Sequence, residues 1–301
     1  MAVFTITGAT GSVGRAIIQT LQSQSHEIRA LSTRKSVEIN GVSSFYWNPN
    51  TNEIDQDALI GSDYLIHLAG ATVSKRWTAV YKKQIMDSRV DGTQLLLSTM
   101  RRLKTPLKAV ISASAIGYYG SDLERLMKER DAPANDYLAA VTKTWESYTQ
   151  KFESPQTRSI QLRTGIVLDS GAGVLGRLEP RVKFGLAAPL GSGKQWSSWI
   201  HVEDLARMFV YAASQSLASG PYNAVAPAPV TNKQLTKALC RVNKRPMLPI
   251  GVPPFVLKTM LGQMATLALM SQKVSADKIV ATGFSFKYTT ISDALSAIYQ
   301  H

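Results

Sequence analysis

Three glycines, Gly8, Gly11 and Gly14, stand at GxxGxxG spacing directly behind the apolar run from Val3 to Ile6. An amphipathic stretch from Val13 to Leu21 follows at once. A strand, a tight turn and a helix start in this order form a cradle for a chain of phosphates. One glycine permits the turn, one lets backbone approach a pyrophosphate, and one lets helix and strand pack closely. The helix start adds unpaired N–H groups and the positive end of a dipole. Glycine spacing alone is weak, but here the strand–turn–helix context is readable beside it. The residues assigned to this cradle are Thr7, Gly8, Thr10, Gly11, Ser12, Val13 and Gly14.

About twenty residues on, the end of the second strand candidate reads Leu31-Ser32-Thr33-Arg34-Lys35. NAD sites usually place an Asp or Glu here to bind the ribose 2′-hydroxyl. This segment has no acid and two cations. A carboxylate repels a 2′-phosphate, whereas a guanidinium pairs with it bidentately. NADP(H) is therefore the expected cofactor, with Ser32, Arg34 and Lys35 around the 2′-phosphate; the plainer alternative is a solvated basic turn. Arg15, beside the third glycine, is a weaker phosphate candidate. No cluster of His, Cys, Asp and Glu has metal-ligand spacing, so no metal is expected.

These loops need a scaffold, and strand and helix signals alternate from residue 3 to about 165. Strands are expected at Val3–Thr7, Glu27–Leu31, Ser44–Tyr46, Tyr64–Leu68, Ala109–Ser112 and Ser159–Arg163. Helices are expected at Ser12–Gln22, near Gln56–Ile60, at Trp77–Met100 and at Ala134–Lys151. This is an α/β chain with a doubly wound, Rossmann-type parallel sheet, whose ligands sit beyond the carboxyl ends of the strands. Gly8, Ser32 to Lys35, Leu68-Ala69-Gly70, Ser114 and Thr164-Gly165 all fall at such ends. Residues 1–245 are read as the cofactor-binding domain, with 166–245 partly on the substrate side, and 246–301 as a small helical domain. The break between them is the run Lys244-Arg245-Pro246 with Pro249, Gly251, Pro253 and Pro254 behind it. Gly191-Ser192-Gly193-Lys194 is not a phosphate loop, because Ala188 and Gln195 occupy required positions. Thr231 to Gln234 reads as a capping box. Phe255 to Met270 is apolar but too short to span a membrane; it reads as a core or interface helix, with membrane-surface attachment as a minor alternative.

The 301 residues are 45% hydrophobic and 18% charged, ordinary for a globular chain. The first strand begins at once, so no targeting segment is expected. The single cysteine, Cys240, excludes a disulfide framework, reads as buried filler, and makes a reducing cytoplasm the simplest home. Lys and Arg number 34 against 21 Asp and Glu, a formal charge of +13. The basic residues are scattered pairs without a nucleic-acid-binding motif, so sites for anionic small molecules are the better reading and nucleic acid is not expected.

These residues together resemble an extended or atypical short-chain dehydrogenase/reductase. The resemblance runs through Thr7 to Gly14, His67-Leu68-Ala69-Gly70, Ser112-Ala113-Ser114-Ala115, Tyr118-Tyr119-Gly120 and Trp199 to Asp204. More narrowly the chain resembles the nucleotide-sugar-epimerase-like "epimerase family", some of whose members are labelled cell-division inhibitors. Its marks are Lys75-Arg76-Trp77-Thr78, Ser88-Arg89-Val90, Asn135 to Leu138 with Trp145-Glu146, Pro189 to Gly193 and Tyr222 to Pro227. The tail from about Pro249 to Ile298 is similar to that family's small C-terminal domain of unknown function. The resemblance implies NADP(H) binding and an epimerase or reductase acting on a carbonyl- or hydroxyl-bearing small molecule, a nucleotide sugar among them. It also leaves open a non-catalytic, NADP(H)-bound regulator, for example in cell division, and a homodimer. It implies Ser114 and Tyr137 as catalytic residues, and Leu68, Ala69 and Gly70 as cofactor contacts. The usual Tyr-x-x-x-Lys pair is broken: Val141 stands four residues after Tyr137, and Lys143 lies on another helix face. Arg89 replaces an asparagine common in extended relatives; it either faces the site or solvates its helix. Trp77 and Tyr81 read as packing, and His201 as a satisfied structural histidine.

Overall fold

The computed structural model describes residues 1–35 and 37–299. Seven parallel strands form the centre: β1 (Val3–Thr7), β2 (Glu27–Ser32), β3 (Val42–Asn48), β4 (Tyr64–His67), β5 (Ala109–Ala115), β6 (Arg158–Thr164) and β7 (Gly220–Ala224). Their spatial order is β7-β6-β5-β4-β1-β2-β3. Glu38–Ile39 and Glu53–Ile54 pair antiparallel with β3 and close that edge. The chain order reverses beside β1, so a crevice opens there at the carboxyl ends of the strands.

Strand side chains alternate between two covered faces. Phe4, Ile6, Ile66 and Ile111 meet α1 (Ser12–Ser23) and α5 (Val202–Ser214) in one buried cluster. Leu31, Leu65 and Val110 meet α2 (Ala79–Leu103) in another. The neighbour of α2 on that face is α3 (Tyr137–Thr149), whose start is capped by the Asp136 carboxylate accepting from the Ala139 N–H. Burial on both faces explains why the strands read as near-continuous apolar runs.

A third cluster joins α4 (Gly173–Lys183), α6 (Asn232–Val242) and α10 (Ile291–Tyr299) through Leu175, Leu235, Leu239, Ala294 and Leu295. The capping box of Thr231 and Gln234 opens α6 as expected. Cys240 is buried in this cluster. The apolar stretch expected as one helix is two, α7 (Pro254–Leu261) and α8 (Ala265–Leu269), because Gly262 stops the first. Phe255 and Met260 are exposed, so α7 turns an apolar side outward instead of into a core. Before α10, α9 (Asp277–Ala281) packs near β7, and Lys273–Val274 pairs with Leu126–Met127. The Gly191–Gly193 turn packs on the tail: Leu190 bridges Val252, and Leu269 lies against Gly191. Among the described residues no helix is long and apolar enough to cross a membrane.

The helix expected at Ala134–Lys151 starts three residues later, at its aspartate cap. One sheet strand, β7, had no sequence signal. It begins Gly220-Pro221 and contains Asn223, all poor strand formers. Its register against β6, from Gly220 opposite Ile160 to Ala224 opposite Thr164, comes from packing across the sheet.

Candidate functional site

The glycine turn leaves β1 at Gly8, whose φ of +71° lies in the left-handed region that favours glycine. Gly14 sits where helix and turn touch. A Cβ there would lie 2.5 Å from the Gly8 carbonyl oxygen and 2.7 Å from the Ala9 Cα. The start of α1 has no side-chain cap and no acid in its first turn. Its N–H groups are thus left for an anionic ligand. A cleft of about 300 Å³ opens on this turn, lined by Gly8, Gly11, Ser12, Val13, Gly14 and Leu68 on one side. Val167, Asp169, Ala172 and Gly173 line the other.

The Thr7 side chain is wholly buried and organises the cleft from beneath. Its hydroxyl accepts from the N–H groups of Leu68 and Ala69, both at 3.1 Å, which holds the loop after β4 against the glycine turn. With both acceptor positions occupied, its proton goes to His67 Nδ1 at 2.7 Å. His67 therefore carries its own proton on Nε2 and donates to the Thr93 hydroxyl at 3.1 Å, which in turn donates to the Arg89 carbonyl. Complete burial, aided by the Arg89 charge, pushes His67 down to about 3.

A pH dependence follows from His67. Its folded pKa lies below the ordinary 6.5, so between those values the unfolded chain binds a proton that the folded chain does not. This contribution to stability is complete above 6.5 and is lost as pH falls toward 3. The unfolding free energy from urea titrations should drop between pH 7 and 5, with a slope of up to about 1.4 kcal/mol per pH unit from this residue. His67→Gln should flatten that slope; an unchanged slope would show that His67 titrates normally.

The end of β2 places Ser32 in the protein and Arg34 and Lys35 at its surface. The Ser32 hydroxyl accepts from the Arg34 N–H at 3.0 Å, and the Lys35 ammonium lies 5.0 Å from the Tyr46 ring centre. No acidic side chain interrupts Ser32 to Lys35. Thr10 is exposed at the tip of the glycine turn. Gly70 lies against the Arg89 side chain.

Ser114 ends β5 but is not free. Its hydroxyl donates to Glu146 Oε1 at 2.6 Å. Glu146 also takes both prongs of Arg163, Nε and Nη2, at 2.8 Å each. Arg163 reaches the Tyr119 hydroxyl at 3.0 Å, and Tyr119 donates to Asn223 Oδ1 at 2.6 Å. Burial raises the Tyr119 phenol, and ion pairing with Glu146 holds Arg163 charged against its own burial. This network, spanning β5, β6, β7 and α3, had no sequence signal beyond the residue types.

Tyr137 lies on another face of α3. Its hydroxyl donates to the Lys82 carbonyl at 2.9 Å, and its ring meets Trp77 edge-on at 5.3 Å. Nine positions separate Tyr137 from Glu146, and at about 100° per residue that is half a turn of difference in direction. The structure thus joins Ser114 to Glu146 and Tyr137 to α2, with no hydrogen bond between the two serine and tyrosine hydroxyls. Burial raises the phenol above its usual range, and the nearby Arg89 charge offsets this in part. Val141, four residues after Tyr137, is buried in an apolar cluster with Trp77, Ile85 and Met264. Trp77 and Tyr81 are packing residues whose polar atoms donate to the Val73 and Thr72 carbonyls. His201 caps α5 by accepting from the Glu203 N–H at 3.1 Å. Among the described residues no group of three or more His, Cys, Asp and Glu is placed to hold a metal ion.

Sheet order and cleft define a Rossmann-type α/β protein. Residues 4–225 match the NAD dependent epimerase/dehydratase family, and residues 252–298 match a domain of unknown function, DUF1731. The chain belongs to that epimerase family. It is 35% identical over 297 residues to an epimerase family protein of Mycobacterium leprae, covering 98% of this chain and 95% of the relative. A chloroplastic Arabidopsis thaliana homolog of epimerase family protein SDR39U1 is 36% identical, with 98% and 86% covered. Among solved structures, the human epimerase family protein SDR39U1 with NADPH superposes with a TM-score of 0.87 at 27% identity, over 99% of each chain.

Proposed function

We propose that this protein binds NADP(H) in the cleft at β1 and acts as a reductase or epimerase on a carbonyl- or hydroxyl-bearing small molecule, a nucleotide sugar among the candidates. The observation that carries the reading is the pairing of an uncapped helix start behind Gly8–Gly14 with an acid-free, basic end to β2. The NADPH bound in the human relative's crystal structure supports it. The cradle fits a dinucleotide: Gly14 leaves no room for a side chain, and the α1 N–H groups have no competing carboxylate. Arg34 and Lys35 would hold the 2′-phosphate, and Leu68, Ala69 and Gly70 would border the cofactor from the β4 loop. When bound, the nicotinamide supplies or accepts a hydride.

Ser114 and Tyr137 remain the proposed proton-handling pair, under constraints set by their partners. The Ser114 proton is committed to Glu146, so toward a substrate hydroxyl Ser114 acts as an acceptor. The Tyr137 hydroxyl must leave the Lys82 carbonyl to reach a substrate. Its raised pKa keeps it protonated near neutral pH, which suits donation to a carbonyl oxygen better than abstraction from an alcohol. Residues 246–301 are proposed as a small helical domain completing the substrate side.

Comparative titration tests the cofactor assignment. NADPH should bind more tightly than NADH, and Arg34→Ala should weaken NADPH by about 1–3 kcal/mol while sparing NADH. Equal or tighter NADH binding by the wild type would sink the NADP(H) assignment. Turnover on a panel of nucleotide sugars and simple carbonyls tests the reaction, and activity undiminished in Tyr137→Phe would remove the phenol from it.

A further inference from the structure

Arg89 is a half-buried cation with no acid paired to it among the described residues. Among the described residues none of the nine ion pairs includes it. Its Nη1 donates to the Ala71 carbonyl at 3.1 Å and the Ile85 carbonyl at 2.9 Å, which uses that nitrogen's two protons. Nε and Nη2 have no hydrogen-bond partner among the described residues, and neither is among the sealed orphan atoms, which are Trp145 Nε1 and Gln161 Oε1. These donors therefore reach accessible space, while Cγ, Cζ and Nη1 of the same side chain lie against Gly70, on the loop whose first residue, Leu68, lines the cofactor cleft. The guanidinium is held in place. The Trp145 ring centre lies 4.9 Å from its Cζ, and Gly70 leaves room for it where a Cβ would stand 3.2 Å from that atom. Burial pushes its pKa down to about 10, so it stays charged at neutral pH.

A half-buried guanidinium without a counter-charge is costly to desolvate, and an anionic ligand would supply the missing partner. The free Nε–Nη2 edge is the fork that takes two oxygens of a carboxylate or phosphate. We propose that Arg89 anchors an oxyanion group of the substrate, a carboxylate or a phosphate, beside the β4 loop, and so selects anionic substrates. This rests on the cofactor reading in that the anion sits next to the dinucleotide cleft. Tyr137 and Tyr81 are the other titratable groups close enough to act on the guanidinium, together with His67, whose own pKa the Arg89 charge lowers.

The test uses the full chain, with and without NADPH, titrated with malonate and with inorganic phosphate. Calorimetry and melting temperature are the readouts. The wild type should bind at least one of the two anions at up to roughly tens of millimolar, and Arg89→Met should weaken that binding about tenfold or more while leaving NADPH affinity within about threefold. Arg89→Lys should restore part of it, because a point charge replaces the fork. If Arg89→Met fails to fold, Arg89→Gln takes its place. Preference for malonate or phosphate identifies the group. Anion binding equal in wild type and variant, or absent from the wild type, overturns the proposal. So does a variant that loses NADPH and keeps the anion, since the guanidinium would then serve the cofactor. Arg89-dependent anion binding by a wild type that does not bind NADPH would uphold the anchor and refute the cofactor reading.

Discussion

Glu146→Ala should destabilise the protein by about 3–5 kcal/mol, the scale for removing one partner of a buried ion pair. Glu146 and Arg163 have side chains only 5% and 3% exposed. The carboxylate takes both Arg163 prongs and the Ser114 hydroxyl, so truncation leaves a guanidinium and a hydroxyl buried with their main acceptor gone. Arg163 keeps only the Glu129 carbonyl at 3.2 Å, the Tyr119 hydroxyl and the face of Tyr118. None of these supplies negative charge. For a chain of this size each kcal/mol moves the melting temperature by about 2–4 °C, so a loss on the order of 10 °C is expected. Glu146→Gln, which keeps shape and one acceptor oxygen, should lose less. Replacing both Glu146 and Arg163 with methionine should recover much of the loss, because the desolvated charge goes with its partner. Circular dichroism and fluorescence melts, checked for coincidence, measure this. A Glu146→Ala protein melting with the wild type would show that the network contributes nothing to stability.

Gly14→Val should abolish useful cofactor binding. The new Cβ would meet the Gly8 oxygen at 2.5 Å, the Ala9 Cα at 2.7 Å and the Ala9 carbonyl carbon at 2.9 Å. All three are backbone atoms of the turn, so no flexible side chain can yield. The start of α1 must shift away from β1, at an overpacking cost of about 1–3 kcal/mol. The N–H groups that face the phosphates move with it. A fall in NADPH affinity of about 100-fold or more is expected, equivalent to about 2.7 kcal/mol. NADH binding should fall equally, because the pyrophosphate is common to both cofactors; Arg34→Ala by contrast acts on the 2′-phosphate alone. Retained NADPH affinity in a folded Gly14→Val protein would place the cofactor elsewhere.

The parts of the site legible in the sequence are those made by neighbours along the chain. The glycine turn, β1 and α1 occupy residues 3 to 23 without interruption, and their spacing alone implies strand, turn and helix. The basic end of β2 and the missing lysine at Val141 were readable for the same reason. Spacing also proposed Ser114 and Tyr137, but it carries no information on what each hydroxyl would meet. Ser114 finds Glu146 32 residues away, and Tyr137 finds the Lys82 carbonyl 55 residues away.

Residues three and four apart share a helix face and alternate residues share a strand face, so the sequence by itself determined the parallel α/β scaffold, its ligand edge and the phosphate cradle. Which faces meet is decided by packing between distant elements. Tertiary structure alone decided that β7 completes the sheet despite Gly220 and Pro221, and that Thr7 fixes the β4 loop from below. It alone decided how Arg89 lies, against Gly70 and Trp145 with three of its five N–H donors unpaired among the described residues, and it sealed Val141 among Trp77 and Ile85. The physical reason is that a side chain's hydrogen-bond partners and desolvation depend on what lies across the interface, and no local spacing encodes that.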